Sequence, residues 1–357
     1  MTRDYSDFFP PQAATIRPPS PIKQYGWEPF FAQQISVDDL SATPPARVVE
    51  VHRNGLHIIG DEVEITIPPL PDATVGDWVL YDQSRPNACR VLTRKSVVKR
   101  RAAGTGRKIQ LIAANIDTAF IVTSCNQDFN VARLERYVAL AFEAEITPVI
   151  VLTKSDLSPM AEPYITQAAE VSSWVPVVAM DARGEEPLAK LAPWCGRGQT
   201  VAFIGSSGVG KSTLTNALSG TDSVDTQTIR DDDAKGRHTT TRRQLHRVPS
   251  GCLVLDTPGM RELQLTDAAS GIEDVFADLV ALSSECRFGD CQHDTEPGCA
   301  VRAAIEAGAI DASRLARWRK LKAEDAFNSA SLAERKSKDK ALGKMIRAVQ
   351  KSSKKRD

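Results

Sequence analysis

The chain has 357 residues, 42% hydrophobic and 25% charged, with Lys+Arg and Asp+Glu in equal number. This is an ordinary globular composition with room for two or three domains. No apolar run approaches the roughly eighteen residues of a membrane span, and MTRDYSDFFPPQ lacks a basic-then-apolar signal pattern, so a cytoplasmic location with no membrane attachment is expected.

Residues 1–45 hold eight prolines and little periodicity, and read as an extension without a core of its own. Residues 46–109 turn β-like. RVVEVHRNGLHII predicts two strands around a turn at Asn54-Gly55, and DEVEITI, VGDWVLY and CRVLTRKSVVKRR add further strands. Four or five short strands in this span predict a small β-barrel of the OB-fold kind. Its last strand and following loop carry Arg94, Lys95, Lys99, Arg100, Arg101, Arg107 and Lys108, a groove suited to nucleic acid.

Residues 110–268 change to α/β. The apolar runs DTAFIVTS, TPVIVLT, VPVVAM, TVAFIG and CLVLD alternate with helical stretches, which predicts a mostly parallel sheet covered on both faces. GSSGVGKS follows the run VAFI and opens a helix, the context a phosphate loop needs. Gly205, Gly208 and Gly210 let the backbone wrap closely around phosphates. The N–H groups of the loop, through Ser206, Ser207 and Val209 into Thr213, carry partial positive charge. Lys211 is expected on the β- and γ-phosphates and Ser212 on Mg²⁺.

TKSD (Thr153, Lys154, Ser155, Asp156) ends the run VIVL, where binding loops of an open parallel sheet belong. Asp156 suits the guanine N1–H and exocyclic amine, and the Lys154 stem can pack over the base. Such a base reader normally follows the phosphate loop; here it lies about fifty residues upstream. Asp256 in LVLDTPG is placed to orient Mg²⁺, and the Gly259 N–H to sense the γ-phosphate. GRHTTT between them suits the first switch, with Thr239, Thr240 or Thr241 closing over Mg²⁺ and Thr240 preferred. VAMDARG (178–184) is a weak match to a second guanine loop. The order amounts to a GTPase cut after its second switch and rejoined at its old ends; a closed set of strands and helices tolerates such a cut because sheet neighbours need not be chain neighbours. Thr153 stands where Asn is commoner, a change expected to soften a loop-bracing hydrogen bond.

TKSD, GSSGVGKS, GRHTTT and DTPGMREL in this order, behind a barrel and ahead of a Cys/His cluster, resemble the circularly permuted, small-subunit-dependent ribosomal GTPases of the RsgA or YjeQ type over residues 46–320. The resemblance implies GTP hydrolysis stimulated by the small ribosomal subunit late in its maturation, contact with its rRNA, and an OB-fold and a zinc domain flanking the GTPase.

Residues 269–320 read as a small α-helical domain around Cys286, Cys291, His293 and Cys299, spaced C-x₄-C-x-H-x₅-C. Three thiolates and an imidazole make a closed tetrahedral zinc set, so the site is expected to be structural. Cys89, Cys125, Cys195 and Cys252 are dispersed and expected to pack; seven cysteines in all, an odd count, argue against a disulfide framework. Residues 321–357 form a basic tail. From 331 onward Arg335, Lys336, Lys338, Lys340, Lys344, Arg347, Lys351, Lys354, Lys355 and Arg356 face three acids, leaving the other 330 residues with a net of −7. Such a tail suits RNA phosphates.

The residue after the second-switch glycine is Met260, which cannot orient water as a glutamine does there. His238, beside the switch threonines, is the candidate for that task, and the resemblance points to it too. The expected protein is a monomeric GTP hydrolase that binds GTP and GDP. An RNA-binding scaffold with a passive nucleotide clamp is the alternative, against which Lys211, Ser212 and Asp256 speak. TKSD and DTPG argue against a third reading, a metabolite kinase.

Overall fold

The structure is a computed structural model and describes residues 20–101, 109–157, 161–220, 243–256, 265 and 267–329. Three short helices open it: α1 (Pro21–Gln24), α2 (Pro29–Ala32) and α3 (Val37–Ala42), the last held by a capping box between Ser36 and Asp39. Then come β1 (Pro45–His52), β2 (Gly55–Gly60), β3 (Glu64–Ile67), β4 (Trp78–Leu80), β5 (Arg90–Val91), β6 (Val97–Arg101) and β7 (Ile109–Ala114). β1 pairs antiparallel with both β2 and β4, β2 with β3, β4 with β5, and β6 with β7. His52 faces Gly55, so the two-residue turn is Arg53-Asn54, one position earlier than the Asn54-Gly55 expected. The opening helices borrow their core: Phe31 is buried against Trp78, Leu80 and Leu92.

The second half follows as β8 (Thr118–Ser124), α4 (Val131–Glu143), β9 (Thr147–Thr153), α5 (Glu162–Ala169), β10 (Val177–Ala179), α6 (Glu186–Leu191), β11 (Thr200–Ile204), α7 (Lys211–Ser219), β12 (Arg243–Arg247) and β13 (Leu253–Asp256). The strands lie in the order β10-β9-β8-β11-β13-β12. All neighbours are parallel except β12, which runs antiparallel to β13. Alternate residues serve opposite faces. Ala119, Ile121, Ile150, Leu152, Ala202 and Ile204 join one core with α4, while Phe120, Val122, Val149, Val151, Val201 and Phe203 join another with α7. A sheet apolar on both faces explains the near-continuous apolar runs.

Four helices close the described chain: α8 (Ala269–Val275), α9 (Ala277–Ser284), α10 (Ala300–Glu306) and α11 (Ala312–Ser329). α8 lies on α4 so closely that a Cβ on Gly271 would come within 2.1 Å of Ala139 O; only glycine fits. β12 also pairs with β1, through Glu50↔Gln244 and Val51↔Arg243, so the N-terminal strands and the parallel sheet are one continuous 11-stranded surface. Among the described residues no helix is long and apolar enough to cross a membrane.

Candidate nucleotide site and metal centre

The strand order reverses at β8 and β11, since β8 leads to β9 on one side and β11 to β13 on the other. A crevice at the carboxyl ends of the strands flanking such a switch point is where open α/β sheets hold ligands. GSSGVGKS leaves β11 at this place. Gly205 sits at φ 150°, and a Cβ there would lie 2.2 Å from Val122 O, so the loop can hug the strand only with glycine. Gly210, at φ 99°, is the N-cap of α7, which starts at Lys211 and continues through Ser212 and Thr213. Lys211 Nζ donates to Gly205 O at 2.8 Å and to Ser206 O. Ser207 and Gly208 stand exposed at the loop's turn, and Val209 is buried beneath it.

TKSD leaves the neighbouring end of β9. The two motifs, about fifty residues apart in sequence, are joined by hydrogen bonds. Thr153 is fully buried, and its hydroxyl lies 2.7 Å from Val209 O and 3.2 Å from Thr123 O. Lys154, at φ 58°, reaches back with Nζ 3.1 Å from Gly208 O. Ser155 is half-buried and Asp156 exposed at the turn that follows. The bracing bond at Thr153, expected to be soft, is present at short range. A hydroxyl carries one hydrogen, so it serves only one of two carbonyls that an asparagine amide can serve together. The weak third loop leaves β10 beside TKSD, with Asp181 accepting from Arg183 N at 2.8 Å.

Asp256 ends β13, the neighbour of β11 on the other side. Thr239, Thr240, Thr241, His238, Gly259 and Met260 lie outside the described residues, as do Arg107, Lys108 and the cations of the tail. Of the expected nucleic-acid groove, two members are engaged internally. Arg94 forks onto buried Asp77 at 2.7 and 2.9 Å, and Lys95 bridges Glu28 and Asp117 at 2.6 and 2.8 Å. Sequence shows charge but not the acid waiting behind it.

The phosphate loop has a further neighbour on α4. Arg133, in the first turn of α4, places NH1 2.6 Å from Ser206 Oγ. A lone arginine in a helix between two motifs carries no local signal.

Cys286, Cys291, His293 and Cys299 come together with all four ligand atoms within 4.8 Å of one another. Cys286 follows α9, and Cys299 is the N-cap of α10, its sulfur accepting from Arg302 N at 3.4 Å. Burial raises the Cys286 thiol, but the N–H groups of Val301 and Ala300 together with hydrogen bonds from the Cys299 and Cys291 thiols outweigh it and hold the thiol below its ordinary value. Burial, with the thiols of Cys299 and Cys286, pushes Cys291 up to about 11. Three sulfurs and an imidazole this close are a donor set compatible with zinc, which would draw the thiols to thiolates on binding. His293 is pulled down by burial and by Arg319, which favours the neutral imidazole a metal requires. Ser283 Oγ donates to Leu279 O at 2.7 Å, so it accepts from His293 Nε2–H at 3.2 Å. That leaves Nδ1 as the lone-pair nitrogen, 3.6 and 3.5 Å from the sulfurs of Cys286 and Cys299. The other four cysteines are buried and free, as expected.

Fold and site together define a P-loop GTPase domain whose strands follow one another in circularly permuted order. The chain belongs to the RsgA GTPase family, whose model matches residues 91–266. It is 49% identical over 339 residues to "Small ribosomal subunit biogenesis GTPase RsgA 2" of Vibrio vulnificus (strain CMCP6), covering 94% of this chain and 97% of the relative. To "Small ribosomal subunit biogenesis GTPase RsgA" of Mesorhizobium japonicum it is 50% identical, over 89% of this chain and 93% of the relative. Among solved structures, YjeQ from Thermotoga maritima superposes with a TM-score of 0.57 at 26% identity, over 78% of this chain and 96% of that one. YloQ, described as a circularly permuted GTPase, shares the fold with a TM-score of 0.55 at 24% identity, over 81% and 97% of the two chains.

Proposed function

We propose that this GTPase binds the small ribosomal subunit and acts late in its maturation, hydrolysing GTP to GDP and phosphate faster when the subunit is bound. The observation that carries the nucleotide half is the seating of TKSD on the phosphate loop through Thr153 and Lys154. The names of the relatives carry the ribosomal half. In this reading Asp156 reads guanine, Lys154 covers it, and the backbone from Gly205 to Thr213 cradles the phosphates with Lys211. Mg²⁺ would arrive with GTP, held by Ser212 and Thr240 with Asp256 orienting it, and would supply positive charge against the phosphate oxygens. Gly259 senses the γ-phosphate, and His238 orients the attacking water.

Cys286, Cys291, His293 and Cys299 hold one structural zinc. Residues 46–109 act as an OB-fold-like RNA-binding barrel, 110–268 as the GTPase, 269–320 as the zinc domain, and 321–357 as an rRNA-binding tail behind the extension 1–45. The protein works as a cytoplasmic monomer.

Phosphate release from GTP and from ATP, each with and without purified small subunits, tests the reading. It predicts a low basal rate, a marked preference for GTP and a clear rise with subunits. GTP binding with no turnover under any condition selects the passive clamp, and turnover of ATP with a small-molecule acceptor selects a kinase.

A further inference from the structure

We propose that Arg133 is a second cation of the nucleotide site, a guanidinium supplied from the chain's own α4 to the terminal phosphate of bound GTP. The inference rests on the reading of GSSGVGKS as the phosphate loop. Arg133 NH1 lies 2.6 Å from Ser206 Oγ, while Lys211 Nζ donates to Ser206 O, so two cations meet on one loop residue. Lys211 of such a loop reaches the β- and γ-phosphates, and Arg133 stands one side chain away on the α4 flank. Its remaining contact is weak, 3.4 Å to Asp128 O, and among the described residues it forms no ion pair. The side chain is exposed.

Its position on the helix points the same way. Asn130 caps α4 by accepting from Arg133 N at 2.9 Å, so Arg133 lies in the first turn, where the helix dipole opposes a cation. No acid occupies that turn to compensate. A guanidinium from the positive first turn of α4 therefore stands against the phosphate loop, an arrangement that an anion at the loop relieves. Arginine suits a phosphate because its planar fork donates two parallel hydrogen bonds. A guanidinium in cis is also a known way to neutralise charge on a transferring phosphoryl group.

The test separates phosphate contact from mere bracing of Ser206. Affinities for GDP and for a non-hydrolysable GTP analogue are measured for the wild type, R133A, R133K and S206A, with K211A as a marker of the loop itself. We expect R133A to weaken the GTP analogue about fivefold or more beyond its effect on GDP, and R133K to recover part of that loss. Single-turnover hydrolysis by R133A should fall in parallel. Equal weakening of both nucleotides in R133A overturns the proposal, as does an S206A variant that reproduces the whole R133A pattern, since bracing then suffices. A wild type that binds neither nucleotide, or a K211A variant that binds both undiminished, removes the phosphate-loop reading itself and this proposal with it.

Discussion

At the scale of single residues, hydrogen counts decide more than residue similarity. The Thr153 hydroxyl has two carbonyls in reach and one proton to offer. T153V keeps the shape and leaves Val209 O without its buried donor, so it should destabilise the protein by about 1–3 kcal/mol and weaken GTP binding. T153N can serve both carbonyls and should add roughly 0.5–1.5 kcal/mol. Denaturant unfolding of both variants checks the pair. Ser283 is the same kind of residue at the metal centre: it fixes the tautomer of His293 without touching the ion. S283A should lower zinc affinity about tenfold, read by competition with a chelator, while unfolding of the loaded protein changes little. H238A should leave GTP affinity nearly intact and cut subunit-stimulated turnover by about tenfold or more; unchanged turnover takes His238 out of the mechanism.

At the scale of elements, α4 stands out because its two sides serve different ends of the molecule. Arg133 touches the phosphate loop. Two residues on, round the helix, Glu135 is fully buried between Arg317 at 2.8 Å and Arg314 at 3.4 Å, and next to it Arg136 pairs with Glu324 at 2.7 Å, the three partners all on α11. Arg314 also forks onto Asp278 of α9 at 2.7 and 2.9 Å. The phosphate loop and the helices around the metal centre are thus one helix apart. Replacing Glu135 by Ala leaves two arginines without their shared acid. Both are partly exposed and can turn to water, so we expect a loss of roughly 2–3 kcal/mol, at or below the range for broken buried pairs. Denaturant unfolding measures it, and a loss under about 0.5 kcal/mol would show the ion pairs to be ornamental.

Which elements sequence could reveal follows from their packing. β8, β9 and β11 are apolar on both faces and were legible as runs; RQLHR (β12) buries only Leu245 and was not. TKSD and GSSGVGKS were legible as motifs because their chemistry needs fixed residue types at fixed spacing. Arg133, Ser283 and Glu135 were not, because each gains its meaning from a partner 10 to 182 residues away.

At the scale of the whole molecule, the segment that carries the Cys/His cluster does not stand alone. Leu279, Cys299, Val301, Leu315, Trp318 and Leu321 belong to the same core as α4 and the parallel sheet. Taken by itself, a segment this short would need its metal to fold; docked on α4 it has a second source of order. Removing zinc should therefore loosen a part rather than the whole. Between Cys291 and Cys299 the chain has its own fastening: Gln292 N, Asp294 N and Thr295 N converge on the Glu296 carboxylate and hold it down to about 2. A carboxyl depressed in the folded state stabilises fully above its ordinary range near 4.5 and loses that contribution as pH falls toward 2. Thiolate ligands take up protons at much higher pH than that, so acid should release the metal first and undo the turn later. Hydrogen exchange on chelator-treated protein at pH 7 should show faster exchange for residues 285–299 alone. α9, α11 and the sheet should keep their protection, and GTP affinity should stay within about twofold. Exchange that spreads through α4 into β8 would mean that the metal centre and the GTPase core unfold as one unit, and that zinc stabilises the nucleotide site itself.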